Sequence, residues 1–265
     1  MTHTTEFHAR PTRCFTRSAL VCTAALLTAS ATWAQERPAE RPASSWSTGV
    51  FIGTETSPYD GADDNRRYLP LLGFENRYVR WAGPVLDLKL PSSGAVSYAL
   101  RARYFDAGYK ASDSVTFAGM DARKSSIWLG AKAEWQHPLG QLSTEWLTDA
   151  ASHSGGQQIR LVAEKPLRLG RLALAPRVAL VWQDRDYVDY YFGVRPDEAT
   201  AARAAYAPKA SFNTELGLRA FYGLTQQQSV FVDVHVTALG APIKDSPLVS
   251  RSSVAGVRLG YVFGF

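Results

Sequence analysis

The chain has 265 residues, with 29 lysines and arginines against 24 aspartates and glutamates, which gives a formal net charge of +5. This small surplus is spread along the sequence and gives no support for nucleic-acid binding, which needs a concentrated basic patch. The only two cysteines, Cys14 and Cys22, lie within the first 34 residues. The rest of the chain therefore excludes disulfides, thiolate metal sites and cysteine nucleophiles.

Residues 1–34 have the pattern of a secretory signal peptide. A segment with Arg10, Arg13 and Arg17 precedes an uncharged apolar stretch, 19–31, and small residues follow up to Ala34. We expect cleavage after Ala34, which removes three arginines and one glutamate and leaves a net charge of +3. The apolar stretch is too short to span a bilayer as a helix.

Residues 35–46 are polar and rich in proline, so we predict a flexible periplasmic lead-in before a membrane domain at 47–265. From residue 47 onward, short segments alternate between apolar and polar positions. The clearest is 229–238, in which valines occupy one face while Asp233 and His235 occupy the other. Segments of about ten alternating residues have the length of a tilted strand that crosses the outer membrane.

The connections between these segments alternate in length, which predicts short periplasmic turns and longer extracellular loops. Residues 68–90 allow two interpretations. One long irregular strand gives a barrel of ten strands, whereas two strands with a tight turn near Glu75 and Asn76 need a further short strand. We predict an all-β, transmembrane antiparallel β-barrel of about ten strands, with twelve as the alternative.

The last eleven residues form a strand with one continuous apolar and aromatic face. This face carries Ala255, Val257, Leu259, Tyr261, Phe263 and Phe265. A soluble protein rarely leaves such a strand on a free edge, whereas a barrel in lipid requires that face. We therefore predict a bacterial outer-membrane protein and interpret Tyr261, Phe263 and Phe265 as its assembly signal.

The opposite faces of the strands carry charges of both signs. The predicted lumen network consists of Arg101, Arg103, Glu134, Arg177, Glu215, Arg219, Asp233, His235 and Arg258. Mixed charge favours a filled, salt-bridged interior over an open pore. Because His235 shares this inward face, we interpret it as an interior hydrogen-bonding group rather than a catalytic base facing the membrane edge.

The long loop after residue 184 contains four aromatic side chains, Tyr187, Tyr190, Tyr191 and Phe192. They suit either a lid over the barrel mouth or a binding surface, and we predict the lid. Residues 59–65 are rich in oxygen ligands but lack the spacing of a calcium loop, which favours a solvated loop. No catalytic, cofactor or metal site is predicted, since no nucleophile elbow, phosphate loop or metal-spaced histidine cluster occurs.

Four separated segments, in this order, resemble the MipA/OmpV family, the MltA-interacting outer-membrane proteins. They are 58–64 (PYDGADD), 190–198 (YYFGVRPDE) with 205–209 (AYAPK), 244–249 (KDSPLV) and 260–263 (GYVF). The family's Gly-Met-Asp-Asp element appears here only as Gly119-Met-Asp-Ala122. We add Tyr59 and Asp245, from two of these segments, to the candidate residues for the lid or a loop interaction.

The resemblance implies an outer-membrane β-barrel whose name-giving member links a lytic transglycosylase to a murein synthase. We therefore expect a non-enzymatic scaffold for peptidoglycan synthesis and remodelling, without cofactors. Its expected partners are outer-membrane lipid, the outer-membrane assembly machinery, and a murein hydrolase and synthase. Two alternatives stay open: a narrow channel for small solutes, suggested by the charged inner face, and a lipid hydrolase centred on His235.

Overall fold

The structure, a computed structural model, describes residues 44–105 and 107–265. The predicted signal peptide and residues 35–43 of the predicted lead-in lie outside the described residues, while residues 44–46 belong to the first strand. The strands are β1 (Ser44–Glu55), β2 (Asn65–Asn76), β3 (Val79–Ala82), β4 (Val85–Lys89), β5 (Val96–Phe105), β6 (Ser126–His137), β7 (Gly140–Asp149), β8 (Gln157–Glu164), β9 (Leu167–Leu169), β10 (Leu172–Gln183), β11 (Ser211–Gly223), β12 (Gln228–Ala238) and β13 (Ser253–Gly264). The α-helices are α1 (Arg185–Phe192) and α2 (Ala241–Lys244), and Ala111–Asp113, Val115–Phe117 and Pro196–Glu198 form 3-10 turns.

The strands form one closed antiparallel barrel. Consecutive strands pair with each other except β8 and β9, which both pair with β10, and β1 pairs with β13. Since β8 and β9 share one position, the described wall has twelve positions. The predicted all-β barrel is confirmed, and its strand count is the alternative of twelve rather than ten.

The difference in strand number arises between residues 68 and 90. Instead of one irregular strand, this stretch holds most of β2 and the short strands β3 and β4. Asn76 closes the first turn, because its side-chain oxygen accepts hydrogen bonds from the N–H groups of Tyr78 and Val79 at 2.8 and 2.7 Å. The second turn uses Gly83, whose φ of 54° favours glycine, followed by Pro84.

The strands turn their apolar faces outward and their polar faces into the lumen. On β12, Val232, Val234 and Val236 are exposed, whereas Asp233 and His235 are buried. On β13, Arg258 lies opposite Asp233 of β12 and Gly53 of β1, with Val257 and Leu259 on the outer surface. A barrel with an apolar outer band and a polar interior suits a lipid bilayer.

One end of the barrel has short turns and the other has long connections. The short turns are 77–78, 90–95, 138–139, 170–171 and 224–227, while the long connections include 56–64, 107–125, 184–210 and 239–252. In outer-membrane barrels the short turns face the periplasm and the long loops the exterior. Neither helix of the described chain has the length and apolarity needed to cross a membrane.

Candidate functional site: the plug, the charge belt and the periplasmic rim

The aromatic segment of the longest extracellular connection forms the helix α1. Asp184 caps its N-terminus, with a side-chain oxygen that accepts a hydrogen bond from the N–H of Tyr187 at 2.9 Å. At the other end the N–H of Gly193 donates to the carbonyl of Asp189 at 2.9 Å. Apolar residues at a spacing of four, Tyr187 with Tyr191 and Val188 with Phe192, give the helix one buried face.

This face packs against inward-facing residues at the top of the barrel wall. Trp128 of β6 and Leu147 of β7 join the helix, and α2 contributes Ile243. The ring centroid of Trp128 lies 5.6 Å from that of Tyr187 in an edge-on arrangement. The helix α1 therefore lies within the barrel mouth.

A second apolar cluster lies beside the first. It contains Tyr109, Phe117, Met120, Val194 and Leu248, from three different loops. Tyr59 connects the two clusters: its ring stacks on Phe192 at 5.4 Å and meets Phe117 edge-on at 5.2 Å. Its hydroxyl donates a hydrogen bond to the carbonyl of Tyr191 at 3.1 Å. We call the two clusters, with α1 and α2, the plug.

An ion pair fastens the loops of the plug to one another. Arg123 donates to both carboxylate oxygens of Glu198, at 2.8 and 2.9 Å, and both side chains are almost fully buried. The Nε of Arg123 also donates to the carbonyl of Tyr190 at 2.7 Å, which joins the pair to α1. Arg203 adds a hydrogen bond to the carbonyl of Glu198 at 2.5 Å. We call the pair Arg123–Glu198 the clasp.

The clasp predicts an acid-dependent loosening of the plug. Burial alone would raise the pKa of Glu198, but hydrogen bonds from Arg123 and from the N–H groups of Arg195 and Asp121 lower that pKa to about 2. A carboxyl group with a lowered pKa stabilises the fold fully above its unfolded value near 4.5, and this contribution disappears as the pH falls towards about 2. We expect cleavage by pepsin within α1 to rise across this window, relative to an unfolded peptide substrate. The variant Glu198→Gln should give a flatter profile, whereas identical profiles would contradict the expectation.

Below the plug, charged side chains line the inner wall from β4 round to β13 and β1. We call this set the charge belt: Glu55, Asp87, Arg101, Arg103, Glu145, Arg160, Arg177, Glu215, Arg219, Asp233, His235 and Arg258. On one side Arg101 binds both oxygens of Asp87 at 2.7 Å and also reaches Glu145, which accepts from Arg103 at 2.6 Å. Burial of such charges is tolerated because each is paired.

The other side of the belt is centred on Arg177. Its guanidinium binds both oxygens of Asp233, at 2.7 and 3.0 Å, and Glu215 at 3.0 Å. Arg219 donates to Asp233 at 2.8 Å and Arg160 to Glu215 at 2.9 Å. Arg160 also lies opposite Glu145 in the register of β7 and β8, which links the two halves.

His235 lies in the same belt, on the lumen face. Its Nε2 is 3.2 Å from a carboxylate oxygen of Glu55, and its Nδ1 is 3.6 Å from Asp233. Its described polar contacts are thus with two carboxylates, which suit an ion pair. A lipid hydrolase needs a nucleophile beside its histidine, and the described contacts of His235 include no hydroxyl group.

Two predicted residues, Glu134 and Asp245, lie apart from the belt and the plug, and Tyr190 of α1 lies at the surface of the plug. Glu134 pairs locally with Lys132 at 2.6 Å, nearer the periplasmic end of β6. Asp245 is exposed beside α2, and Tyr190 is half-buried, with a hydroxyl that accepts from the N–H of Lys124 at 2.8 Å. The carboxylate of Asp64 accepts from the N–H of Ser57 at 3.2 Å and so closes its own loop. No group of three or more potential metal-binding side chains occurs in the part of the chain that the structure describes.

The predicted assembly-signal residues lie at the periplasmic end of β13. Tyr261 and Phe263 occupy the outward alternation of that strand, and the rings of Phe263 and Phe265 meet at 5.0 Å. The N–H of Phe265 donates to the carbonyl of Trp46 at 2.9 Å, which continues the seam between β13 and β1. Their role as a signal stays a prediction.

Sequence reasoning missed several partners in these networks. Asp87 lies in the stretch 68–90, for which the sequence allows two strand arrangements, and Glu55 is the last residue of the first strand, so the sequence pattern gives neither residue a lumen position. The clasp residues Arg123 and Glu198 stand in loops, where no periodicity marks a buried charge. The detectable signal for α1 was the capping Asp184 followed by apolar residues at helical spacing.

The periplasmic end of the barrel is an exposed rim of apolar and basic side chains. We define the periplasmic rim by its turns and adjoining strand ends, which expose Tyr78, Leu139 and Leu169. Arg77 lies over the ring of Tyr78, 4.3 Å from its centroid. Exposed basic residues around the rim are Arg77, Arg80, Lys165, Arg168 and Arg171. Aromatic and arginine side chains of this kind are enriched where proteins bind one another.

Comparison with known proteins agrees with this architecture. The family model described as "MltA-interacting protein MipA" matches residues 48–265. The outer membrane protein Omp26La of Vibrio anguillarum is 29% identical over 209 residues, which cover 77% of this chain and 76% of that protein. The outer membrane protein OmpV of Vibrio cholerae is 28% identical over 207 residues, with the same coverage. The MltA-interacting protein of Escherichia coli is 24% identical over 223 residues, 83% of this chain and 90% of that protein. The chain therefore belongs to the MipA family and is a β-barrel of the bacterial outer membrane.

Proposed function

We propose that this chain is a non-enzymatic scaffold that binds murein synthesis and remodelling enzymes at its periplasmic rim. The observation that carries the proposal is the division of the barrel into a closed extracellular end and an exposed apolar and basic periplasmic end. The name of the Escherichia coli relative, MltA-interacting protein, supports a partner among the murein enzymes.

The closed mouth favours a scaffold over the alternative of a narrow channel. Solute passage would have to cross both the plug and the charge belt, whose arginines are engaged by carboxylates. A plug built from interlocked aromatic rings and a buried ion pair costs more to open than a mobile loop does. A scaffold needs no passage through the lumen, and a rigid, filled barrel presents its rim in one fixed geometry.

The rim has the composition of a contact surface. Leu139 is 74% exposed at the tip of its turn, and Tyr78 is 58% exposed. A single exposed apolar side chain at a turn tip outside the lipid costs little free energy. Several of them next to arginines, however, form a surface patch of the kind that binds a protein partner. A periplasmic enzyme has direct access to the rim, whereas the membrane and the plug separate such an enzyme from the extracellular loops.

Co-purification tests the proposal. The tagged, detergent-solubilised protein is incubated with a periplasmic extract, and the bound lytic transglycosylase and murein synthase are quantified by mass spectrometry. Wild-type protein should enrich both enzymes relative to an unrelated barrel. Replacing Leu139 with aspartate, together with Tyr78→Ala, should lower recovery by about tenfold, the effect of losing roughly 1.4 kcal/mol of binding energy.

A matched control is available at the opposite end of the barrel. Val115 is 94% exposed in an extracellular loop, so Val115→Asp introduces the same charge far from the rim. This variant should retain wild-type recovery. Failure of the wild-type protein to enrich either enzyme would contradict the scaffold, while equal loss in both variants would contradict the rim as the docking surface.

A further inference from the structure

The wall of the barrel is incomplete between β2 and β5. The strand β2 pairs with β1 along its whole length, but with β3 only at Gly73, Phe74 and Glu75. The hairpin of β3 and β4 turns back at Gly83, whose N–H donates to the carbonyl of Leu72 at 3.0 Å. Above this turn, no strand pairs with β2 on that side within the described residues.

The resulting opening is wide enough for an acyl chain. Three inter-strand spacings separate β2 from β5, or about 14 Å at the usual 4.7–4.9 Å each. On the far side β5 continues above the hairpin only through Tyr104 and Phe105, with the N–H of Tyr104 donating to the carbonyl of Pro84 at 3.0 Å. We call this opening the wall notch: residues 65–72, the turn 83–84, and Tyr104 and Phe105.

The wall notch lies at the depth of the lipid-facing band. The outward residues of β2 beside it, Tyr68 and Leu72, are exposed and pair in register with Ile52 and Thr48 of β1. Arg66 is the first charged residue on this outward face, so the apolar band continues at least as far as Tyr68. Backbone N–H and C=O groups without hydrogen-bond partners on a free edge at this depth cost free energy in lipid. Pro70 reduces this cost because it removes one N–H donor from the strand.

On its lumen side the notch carries both apolar and charged side chains. Leu69 and Leu71 point inward by strand alternation, yet Leu69 is 48% exposed, unlike the buried inward residues of the continuous wall. On the other side Phe105 also points inward, and its ring packs against Trp128 and Tyr187 of the plug at 6.2 and 6.3 Å between ring centroids. An amphiphile in the notch would find apolar contacts for its chain and Arg66 above it for an anionic group.

We propose that the wall notch binds an anionic lipid of the outer leaflet, with an acyl chain between β2 and β5 and the head group at Arg66. A lipid suits this position better than a partner's strand because the edge lies in the apolar band and contains proline. The charge of Arg66 selects an anionic head group. This binding site is independent of the scaffold function, since it lies on the extracellular half of the wall and the rim on the periplasmic end.

Fluorescence quenching by brominated lipids tests the site. Because the only cysteines are Cys14 and Cys22, outside the described barrel, single labelling sites are straightforward to introduce. A fluorophore is attached to the variant Leu69→Cys in vesicles that contain phosphatidylglycerol with brominated acyl chains. Leu161→Cys, on the lipid-facing surface, gives the quenching expected of full lipid contact, and Val162→Cys, on the inner face of the continuous wall, gives the background.

The expected result is quenching at Leu69→Cys close to that at Leu161→Cys and well above that at Val162→Cys. Brominated phosphatidylcholine should quench less, and Arg66→Gln should abolish this difference.

Quenching at the Val162→Cys level would overturn the proposal, as would disulfide-linked dimers of Leu69→Cys, which indicate a second copy on the edge. Equal quenching by both lipids with Arg66 intact would overturn the anionic preference. If Leu69→Cys fails to fold, as judged by heat-modifiable migration, Leu71→Cys provides the second inward position.

Discussion

Replacing Glu198 with alanine is expected to open the plug while leaving the barrel wall folded. The substitution leaves the guanidinium of Arg123 buried without its carboxylate partner. Breaking a buried pair in this way costs about 3–5 kcal/mol, whereas the strand pairings are unaffected. The measurement is limited trypsin digestion of the folded protein in detergent, followed at the bond after Arg203, which is buried in the plug. Since cleavage tracks the population of the open form, its rate should rise about 100-fold or more.

An exposed ion pair in the same loops gives the control. Arg195 and Asp121 pair at 2.8 Å, but both side chains are largely in solvent, so Asp121→Asn should change the cleavage rate less than about threefold. If Glu198→Ala and Asp121→Asn gave similar rates, the clasp would not hold the plug closed. Loss of heat-modifiable migration in Glu198→Ala would mean that the clasp also supports the wall, contrary to expectation.

Three of the four segments that resemble the MipA/OmpV family contribute residues to the plug. Tyr59 comes from the first segment, Tyr191 and Phe192 from the second, and Leu248 from the third. A barrel strand needs only alternation, which many sequences satisfy, whereas interlocked loops need particular side chains at particular positions. This difference explains why recognisable sequence motifs concentrate at the extracellular end, even though the proposed partners dock at the periplasmic rim.

The long strands could be predicted from sequence because their signal is local. In β12 and β13 every second residue is apolar over ten positions, and the predicted faces agree with the structure, down to Arg258 on the inner side. The short strands β3 and β4 could not be predicted in the same way. With four and five residues they show barely two periods of alternation, and the turn residues around Gly83 fall between them.

The pairing of charges depends on closure of the barrel, which no local pattern reveals. Glu55 meets His235 and Arg258 only because β1, β12 and β13 become neighbours when the ends of the sheet join. The inward position of Arg258 was predictable from alternation, but its partner, 203 residues away, was not. The same limit applies to the clasp, whose two residues are brought together by loops rather than strands.

Within the charge belt, replacing Arg177 with methionine is expected to cause the largest loss of stability. Arg177 makes three hydrogen bonds to two buried carboxylates, Asp233 and Glu215, and its own side chain is only 6% exposed. Methionine fills a similar volume beside Gly217, where a Cβ would lie 2.5 Å from the guanidinium carbon, but it leaves both carboxylates under-paired. We expect the free energy of unfolding, measured by urea titration in vesicles, to fall by about 3–5 kcal/mol.

Arg219→Met provides the comparison that separates burial from charge. Arg219 also binds Asp233, but through one hydrogen bond, and 39% of its side chain is exposed to the lumen. Solvent screening reduces the value of such a pair to about 1 kcal/mol or less. If Arg177→Met lowered the free energy of unfolding no more than Arg219→Met does, the belt would be a solvated charged surface rather than a structural layer. A large difference, by contrast, would mean that the paired charges stabilise the barrel wall from within, so that the rim is held rigid independently of the plug.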